Sequence, residues 1–235
     1  MKFKVFTLLF FTLLSSVHAQ INGLELLQGK KSQKLKFSYT RGFILLDVIY
    51  AGFIPLKFIY DTGAQNTIFF DRFTAEIVGI QYDRVIQVTG SDLSNSVATR
   101  IARGVALKLD DSPEVKRDVI VLEEDFIQMS EVIGLQVHGI LGADFFKGLI
   151  IEINYKKQYL VLHDSRYFDH STLKNHTRLD TRFAESKPYV SATVTMSGGQ
   201  KSVIKMLMDT GASISMLIHN DTDPHRSENI ARGAH

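Results

Sequence analysis

The sequence predicts a mainly β fold made of two units that share a hairpin. Three observations carry this: an internal repeat, many short apolar runs bounded by turn residues, and few helical signals. The repeat lays Ile54 to Phe70, IPLKFIYDTGAQNTIFF, on Ser202 to Ile218, SVIKMLMDTGASISMLI, without a gap. Five of the seventeen pairs are identical, namely Lys57 with Lys205 and Asp61-Thr62-Gly63-Ala64 with Asp209-Thr210-Gly211-Ala212. Seven more are apolar in both copies.

In chain order, residues 1–20, MKFKVFTLLFFTLLSSVHAQ, have a basic start, an apolar run from Val5 to Leu14 and small residues at Ser15, Ser16 and Ala19. This reads as a secretory signal peptide. The apolar run is about half of what a bilayer-spanning helix requires, and the alternative is a short uncleaved anchor. The chain is therefore expected to be exported, periplasmic or extracellular, with no membrane contact after the leader is cleaved. With no Cys among 235 residues, it has neither disulfides nor a thiolate nucleophile. Lys and Arg number 27 against 25 Asp and Glu, and two of the cations, Lys2 and Lys4, lie in the leader. A balanced chain with no basic run offers no footprint for nucleic acid.

Phe43 to Tyr50 followed by Ala51-Gly52, and Tyr189 to Met196 followed by Ser197-Gly198-Gly199, precede the two repeat copies. Each unit thus opens with a hairpin whose second strand ends at Asp-Thr-Gly. The run Phe43 to Tyr50 is nearly continuous in apolar residues, as for a strand covered on both faces. Further strands are expected at Arg84 to Val88, Ala98 to Ala102, Val105 to Leu109, Arg117 to Leu122, Leu149 to Ile153 and Gln158 to His163, with a hairpin turn over Asn154 to Lys157. Helix is expected only at Phe73 to Val78 and Phe126 to Val132. The polar stretch His163 to Lys187 places a boundary near residue 175, giving a first lobe over about 30–170 and a second over 176–220. The tail 221–235 lacks the apolar content for a core and is expected to be disordered, leaving one complete lobe and a truncated second one.

An Asp that ends an apolar strand before Thr-Gly has a physical logic. Gly allows the tight turn and offers its N–H to the carboxylate, and Thr supplies a hydroxyl beside it. One such tripeptide is an ordinary turn, but two in matched contexts, 148 residues apart, are not easily accidental. If the hairpins pack about a pseudo-twofold axis, Asp61 and Asp209 face each other and share one proton. The ionised member can then draw a proton from water while the protonated one polarises a carbonyl, which is the chemistry of amide hydrolysis.

The sequence resembles the aspartic proteases, the pepsin and retropepsin group, and most of all the bacterial secreted aspartyl proteases. Besides the Asp-Thr-Gly pair, Ile140-Leu141-Gly142 in the run HGILGADF is similar to the family's hydrophobic-hydrophobic-Gly element behind the catalytic loop. The resemblance covers about residues 35–218 and implies an all-β, barrel-like acid-protease fold acting on polypeptides. It implies that Asp61 and Asp209 are catalytic, that Thr62, Gly63, Thr210 and Gly211 support the loops, and that a flap lies within Val85 to Ala106. Its tip would fall at Gly90 and Ser91 and carries no Tyr. No cofactor or metal is implied. Ala64 and Ala212 stand where pepsin-type enzymes commonly have Ser, so the carboxylates have fewer donors and a pH optimum less acid than that of gastric enzymes is expected. Because the second unit lacks its own Gly-ending element, three readings stand: a fragment of a bilobal protease, a retropepsin-like homodimer pairing Asp61 with its symmetry mate, and an inactive peptide-binding β domain.

Other features have plain explanations. Asp110-Asp111 and Glu123-Glu124-Asp125 lack the spacing of a calcium loop. His219 and His225 lie in the polar tail, Asn175 and Asn220 head glycosylation-type triplets, and Lys57 and Lys205 fit exposed strand positions.

Overall fold

A computed structural model describes residues 23–77, 79–89, 96–125, 128–195, 199 and 201–216. The leader, Gly90, Ser91 and the tail 221–235 lie outside the described residues.

The chain is mainly β. After a single 3₁₀ turn at Gly23–Leu27, the strands are β1 (Ser32–Lys36), β2 (Ser38–Thr40), β3 (Phe43–Tyr50), β4 (Ile54–Tyr60) and β5 (Ile68–Phe69), followed by the short helix α1 (Arg72–Glu76). Then come β6 (Tyr82–Thr89), β7 (Ser96–Leu109), β8 (Glu114–Leu122), α2 (Met129–Ile133), β9 (Gly139–Leu141) and a 3₁₀ turn at Ala143–Phe146. The last strands are β10 (Leu149–Asn154), β11 (Tyr159–Asp164), β12 (Thr181–Ala184), β13 (Lys187–Thr195) and β14 (Lys201–Leu207).

Eight strands form one sheet in the order β2-β3-β4-β9-β5-β8-β7-β6, and a further pairing of Val48 to Tyr50 with Leu107 to Leu109 joins β3 to β7. That pairing closes β3, β4, β9, β5, β8 and β7 into a barrel, with β2 and β6 as flanking strands beside the seam. The continuous apolar run of β3 now has its reason. Ile44, Leu46, Val48 and Tyr50 face the main core with Phe58 and Phe69, while Phe43 and Leu45 face a second cluster with Ile59, Phe70 and Ile120. At about 25 cal/mol per Å² of apolar surface, both faces of this strand contribute to holding the barrel shut. The β3–β4 turn takes left-handed backbone at both Ala51 and Gly52, a geometry that suits the twist of a tight hairpin.

A three-stranded sheet of β1, β11 and β10 covers one side, with the Asn154 side chain accepting from the Lys157 N–H to shape the β10–β11 turn. The second repeat copy forms a separate sheet, β12-β13-β14. It buries Val190 and Ile204 but leaves Phe183 and Val203 more than two-thirds exposed.

Several elements differ from expectation. The two strands expected at 98–102 and 105–109 are one, β7, because a bulge between Ala102 and Val105 takes up Arg103 and a left-handed Gly104 without ending the ladder. The helix expected at Phe73 to Val78 is α1, which starts one residue earlier, with the Asp71 side chain accepting from the Thr74 N–H, and ends at Glu76. The one expected at Phe126 to Val132 is α2, which starts at Met129, with 126–127 outside the described residues. Strands β1, β2, β5, β9 and β12 were not expected as strands. The first two and the last are rich in polar residues, and β5 and β9 are two and three residues long.

Candidate active site

The barrel's central strand β4 runs straight into Asp61. Parallel to it lies β9, pairing Phe58 with Gly139, Ile59 with Ile140 and Tyr60 with Leu141, and on the far side of β9 lies β5. The chain leaving β4 must therefore turn out and return across β9, and this turn is Asp61-Thr62-Gly63-Ala64. The Asp61 N–H donates to the Leu141 carbonyl (3.1 Å), Ala143 N–H to the Ala64 carbonyl (2.9 Å) and Asp144 N–H to the Gln65 carbonyl (3.0 Å). Ile140, Leu141 and Gly142 thus sit directly behind the loop. Gly139 and Gly142 are fixed by this closeness, since a Cβ there would run into the Ile68 and Asn66 backbones.

The second copy places Asp209 at the end of β14, and the two loops meet. A Cβ on Gly63 would lie 2.6 Å from the Asp209 carboxyl carbon, and one on Gly211 would overlap the Asp61 carboxyl. Each glycine is therefore the surface against which the opposite carboxylate rests, which is what brings the two acids face to face. Below them the threonines interlock. Thr62 N–H donates to Thr210 Oγ1 (3.0 Å) and Thr210 N–H to Thr62 Oγ1 (3.1 Å). Each hydroxyl then donates across to the other hairpin: Thr62 to the Met208 carbonyl (2.6 Å), Thr210 to the Tyr60 carbonyl (2.9 Å). Tyr60 and Met208 are equivalent positions of the repeat, so the contact is twofold in character.

The two acids are not in equal surroundings. Asp61 is half-buried and accepts from Gly63 N–H (2.7 Å) and Ala64 N–H (3.1 Å), whereas Asp209 is exposed and accepts from Gly211 N–H (2.7 Å). Burial first, then the adjacent Asp209 charge, push Asp61 up to about 6 against the pull of its two backbone donors. At a pH a little below that value Asp61 holds a proton. A cleft of about 1420 Å³ separates the β10 face from the second sheet on the threonine side, with Ile151, Ile204, Met206 and Met208 in its walls.

Of the sequence-selected residues, Asp61, Thr62, Gly63, Asp209, Thr210, Gly211 and the 140–142 element converge at one place. Gly90 and Ser91 fall outside the described residues, though β6 and β7 pair up to Thr89 and Ser96 on either side of them. Lys57 is not a bare surface position: it pairs with Asp47 across the hairpin, and Lys205 lies over the Tyr189 ring at 4.3 Å. Glu123 pairs with Arg100 (2.6 Å). Sequence reasoning missed Thr67, Asp144 and Arg117. Thr67 Oγ1 donates to the Asp144 carboxyl (3.3 Å), and Arg117 lies enclosed beside Phe145. A signal for Arg117 was present, since it shares strand parity with the inward Val115 and Val119.

Residues 46–145 match the aspartyl protease family. Among curated proteins none matches this sequence. Among solved structures, a retropepsin-like aspartic protease from Rickettsia conorii is similar, at 16% identity over 56% of this chain and 90% of that one, with a TM-score of 0.36.

Proposed function

From the premise that residues 46–145 are of the aspartyl protease family, we propose that this protein is an aspartic endopeptidase in which Asp61 and Asp209 of one chain share a proton and activate water. The observation that carries the reading is the apposition of the two carboxyl groups, each against the other loop's glycine. Asp61, the more enclosed, holds the proton, hydrogen-bonds it to the scissile carbonyl oxygen and passes it to that oxygen as the attack proceeds. Asp209 takes a proton from the attacking water, whose oxygen bonds to the carbonyl carbon. The resulting diol collapses as Asp209 returns its proton to the leaving amine nitrogen, and Asp61 regains its own. No covalent intermediate forms.

Pairing of Asp61 with Asp209 in cis supports the single-chain reading over one in which Asp61 meets its symmetry mate, because Asp209 occupies the place that mate would take. The flap reading of Val85 to Ala106 and export by the leader belong to the same proposal. Cleavage of an unfolded polypeptide, inhibited by a statine-type transition-state analogue, tests it. Loss of cleavage in both D61N and D209N is the expected result. Full activity in either variant, with the protein folded, would remove the dyad from the mechanism.

A further inference from the structure

The loop that leaves Asp61 runs down through Ala64, Gln65 and Asn66 to Thr67, and the turn Gly142-Ala143-Asp144 follows it residue by residue. Ala143 N–H donates to the Ala64 carbonyl (2.9 Å) and Asp144 N–H to the Gln65 carbonyl (3.0 Å), while a Cβ on Gly142 would overlap the Asn66 backbone. Gln65 and Asn66 are exposed, so this limb has little hold on the core until Thr67, which is completely buried. There the hydroxyl donates to Asp144 Oδ1 (3.3 Å), and the Thr67 carbonyl accepts from Ile120 N–H of β8 (2.9 Å). Among the described residues this hydroxyl is the one side-chain anchor between Ala64 and Thr67. Its acceptor stands on a firm base, because the next two residues, Phe145 and Phe146, are buried, the second edge-on to the Tyr60 ring at 5.1 Å.

The repeat supplies a comparison within the chain. It aligns Ala64 with Ala212 and Thr67 with Ser215. Ser215 is exposed and its hydroxyl makes no hydrogen bond among the described residues, where no backbone N–H donates to the Ala212 or Ser213 carbonyl either. The two loops differ in one further respect. Asp61 accepts from both Gly63 N–H (2.7 Å) and Ala64 N–H (3.1 Å), whereas Asp209 accepts from Gly211 N–H (2.7 Å) and not from Ala212. The loop with the anchor is thus the loop with the second donor.

We propose that Asp144 is a positioning residue for the dyad: by holding the Thr67 hydroxyl it fixes the limb between Ala64 and Thr67, and so keeps the Ala64 N–H on the Asp61 carboxyl. It acts through Thr67 and Ala64. Because the Ala64 N–H favours the ionised form of Asp61, slackening the limb raises the Asp61 midpoint. The assignment deepens the protease reading and rests on it for the kinetic arm of its test alone.

The first arm needs no proteolysis. In full-length D209N, where Asp61 titrates without a partner carboxyl, the Asp61 carboxyl and the Ala64 amide are followed by NMR from pH 3 to 8, with Asp144 tracked on its own resonance. Adding T67V is expected to raise the Asp61 midpoint by about half a pH unit and to shrink the step with which the Ala64 amide follows it. T67S, which keeps the hydroxyl, leaves both as they were. In a D144N background T67V adds less than it does alone, since the two residues share one bond. A core variant, L162A, lowers Tm and moves neither signal. An Asp61 midpoint and an Ala64 amide that ignore T67V, or T67A where T67V does not fold, overturn the proposal. In the protein with both acids, T67V should lower kcat about tenfold with KM little changed, and T67S should restore it; a wild-type kcat in T67V also overturns the proposal. If wild type cleaves nothing while T67V moves Asp61, the protease reading falls and the positioning contact stands.

Discussion

Replacing Asp61 by Asn is expected to stabilise this protein near neutral pH while abolishing its chemistry. An unfolded chain holds Asp61 at the ordinary 3.8, whereas the folded one holds it at about 6. Folding therefore favours the protonated form. The contribution is full below 3.8 and is lost as pH rises through about 6, where the folded protein must ionise a half-buried acid beside another. The difference between those two values amounts to ~3 kcal/mol. Asn keeps the acceptor that Gly63 and Ala64 N–H use and never ionises, so D61N escapes this loss. Thermal unfolding of the two proteins from pH 3 to 8 measures it: equal Tm below about pH 4, then a gap opening to roughly 6–12 °C by pH 8 for a domain of this size. D209N should open a smaller gap, because burial, the larger cause of the Asp61 rise, is still there. Parallel Tm curves for D61N and wild type across the whole range would refute the assignment of the shared proton to Asp61.

Under the proposed mechanism the same proton sets the pH dependence of cleavage: kcat/KM should fall above pH ~6 as the pair loses its proton, and a profile peaking near pH 2 would contradict this. Gly211→Ala should reduce kcat/KM by more than about 10²-fold, since its methyl group takes the space of the Asp61 carboxyl; activity within tenfold of wild type would show that the carboxylates do not rest on the glycines. Thr62→Val and Thr210→Val should each cost about 1–3 kcal/mol in chemical denaturation, with a coupling of ~1 kcal/mol in the double variant, because each hydroxyl serves both hairpins. Strict additivity would deny the interlock.

The parts of the fold legible in the sequence were those with strong local signals. The β3–β4 hairpin, with its Ala51-Gly52 turn, and the second Asp-Thr-Gly stood out through apolar runs and punctuation, and the repeat identified Asp61 and Asp209 together. What stayed hidden was short or non-local. Strands β5 and β9 are too brief to carry a periodicity and exist because β4 and β8 template them in parallel. The Arg103-Gly104 pair looked like a strand end because the bulge that carries the ladder across it depends on Asp118 accepting the Gly104 N–H (3.0 Å), a contact no local pattern announces. Arg117 escaped notice for the opposite reason: its strand parity was readable, but a charged residue at an inward position is ordinarily counted as surface.

The threonine interlock also bears on when the site comes into being. Its hydrogen bonds link groups 146 to 150 positions apart along the chain. Loops of that span close late, after the local hairpins have formed. A newly synthesised chain would thus possess its barrel strands while still chemically inert, and during refolding the recovery of far-ultraviolet dichroism should run ahead of the recovery of cleavage. Under the proposed function, such a delay would spare the protein its own unfolded sister chains during the interval in which they are most vulnerable.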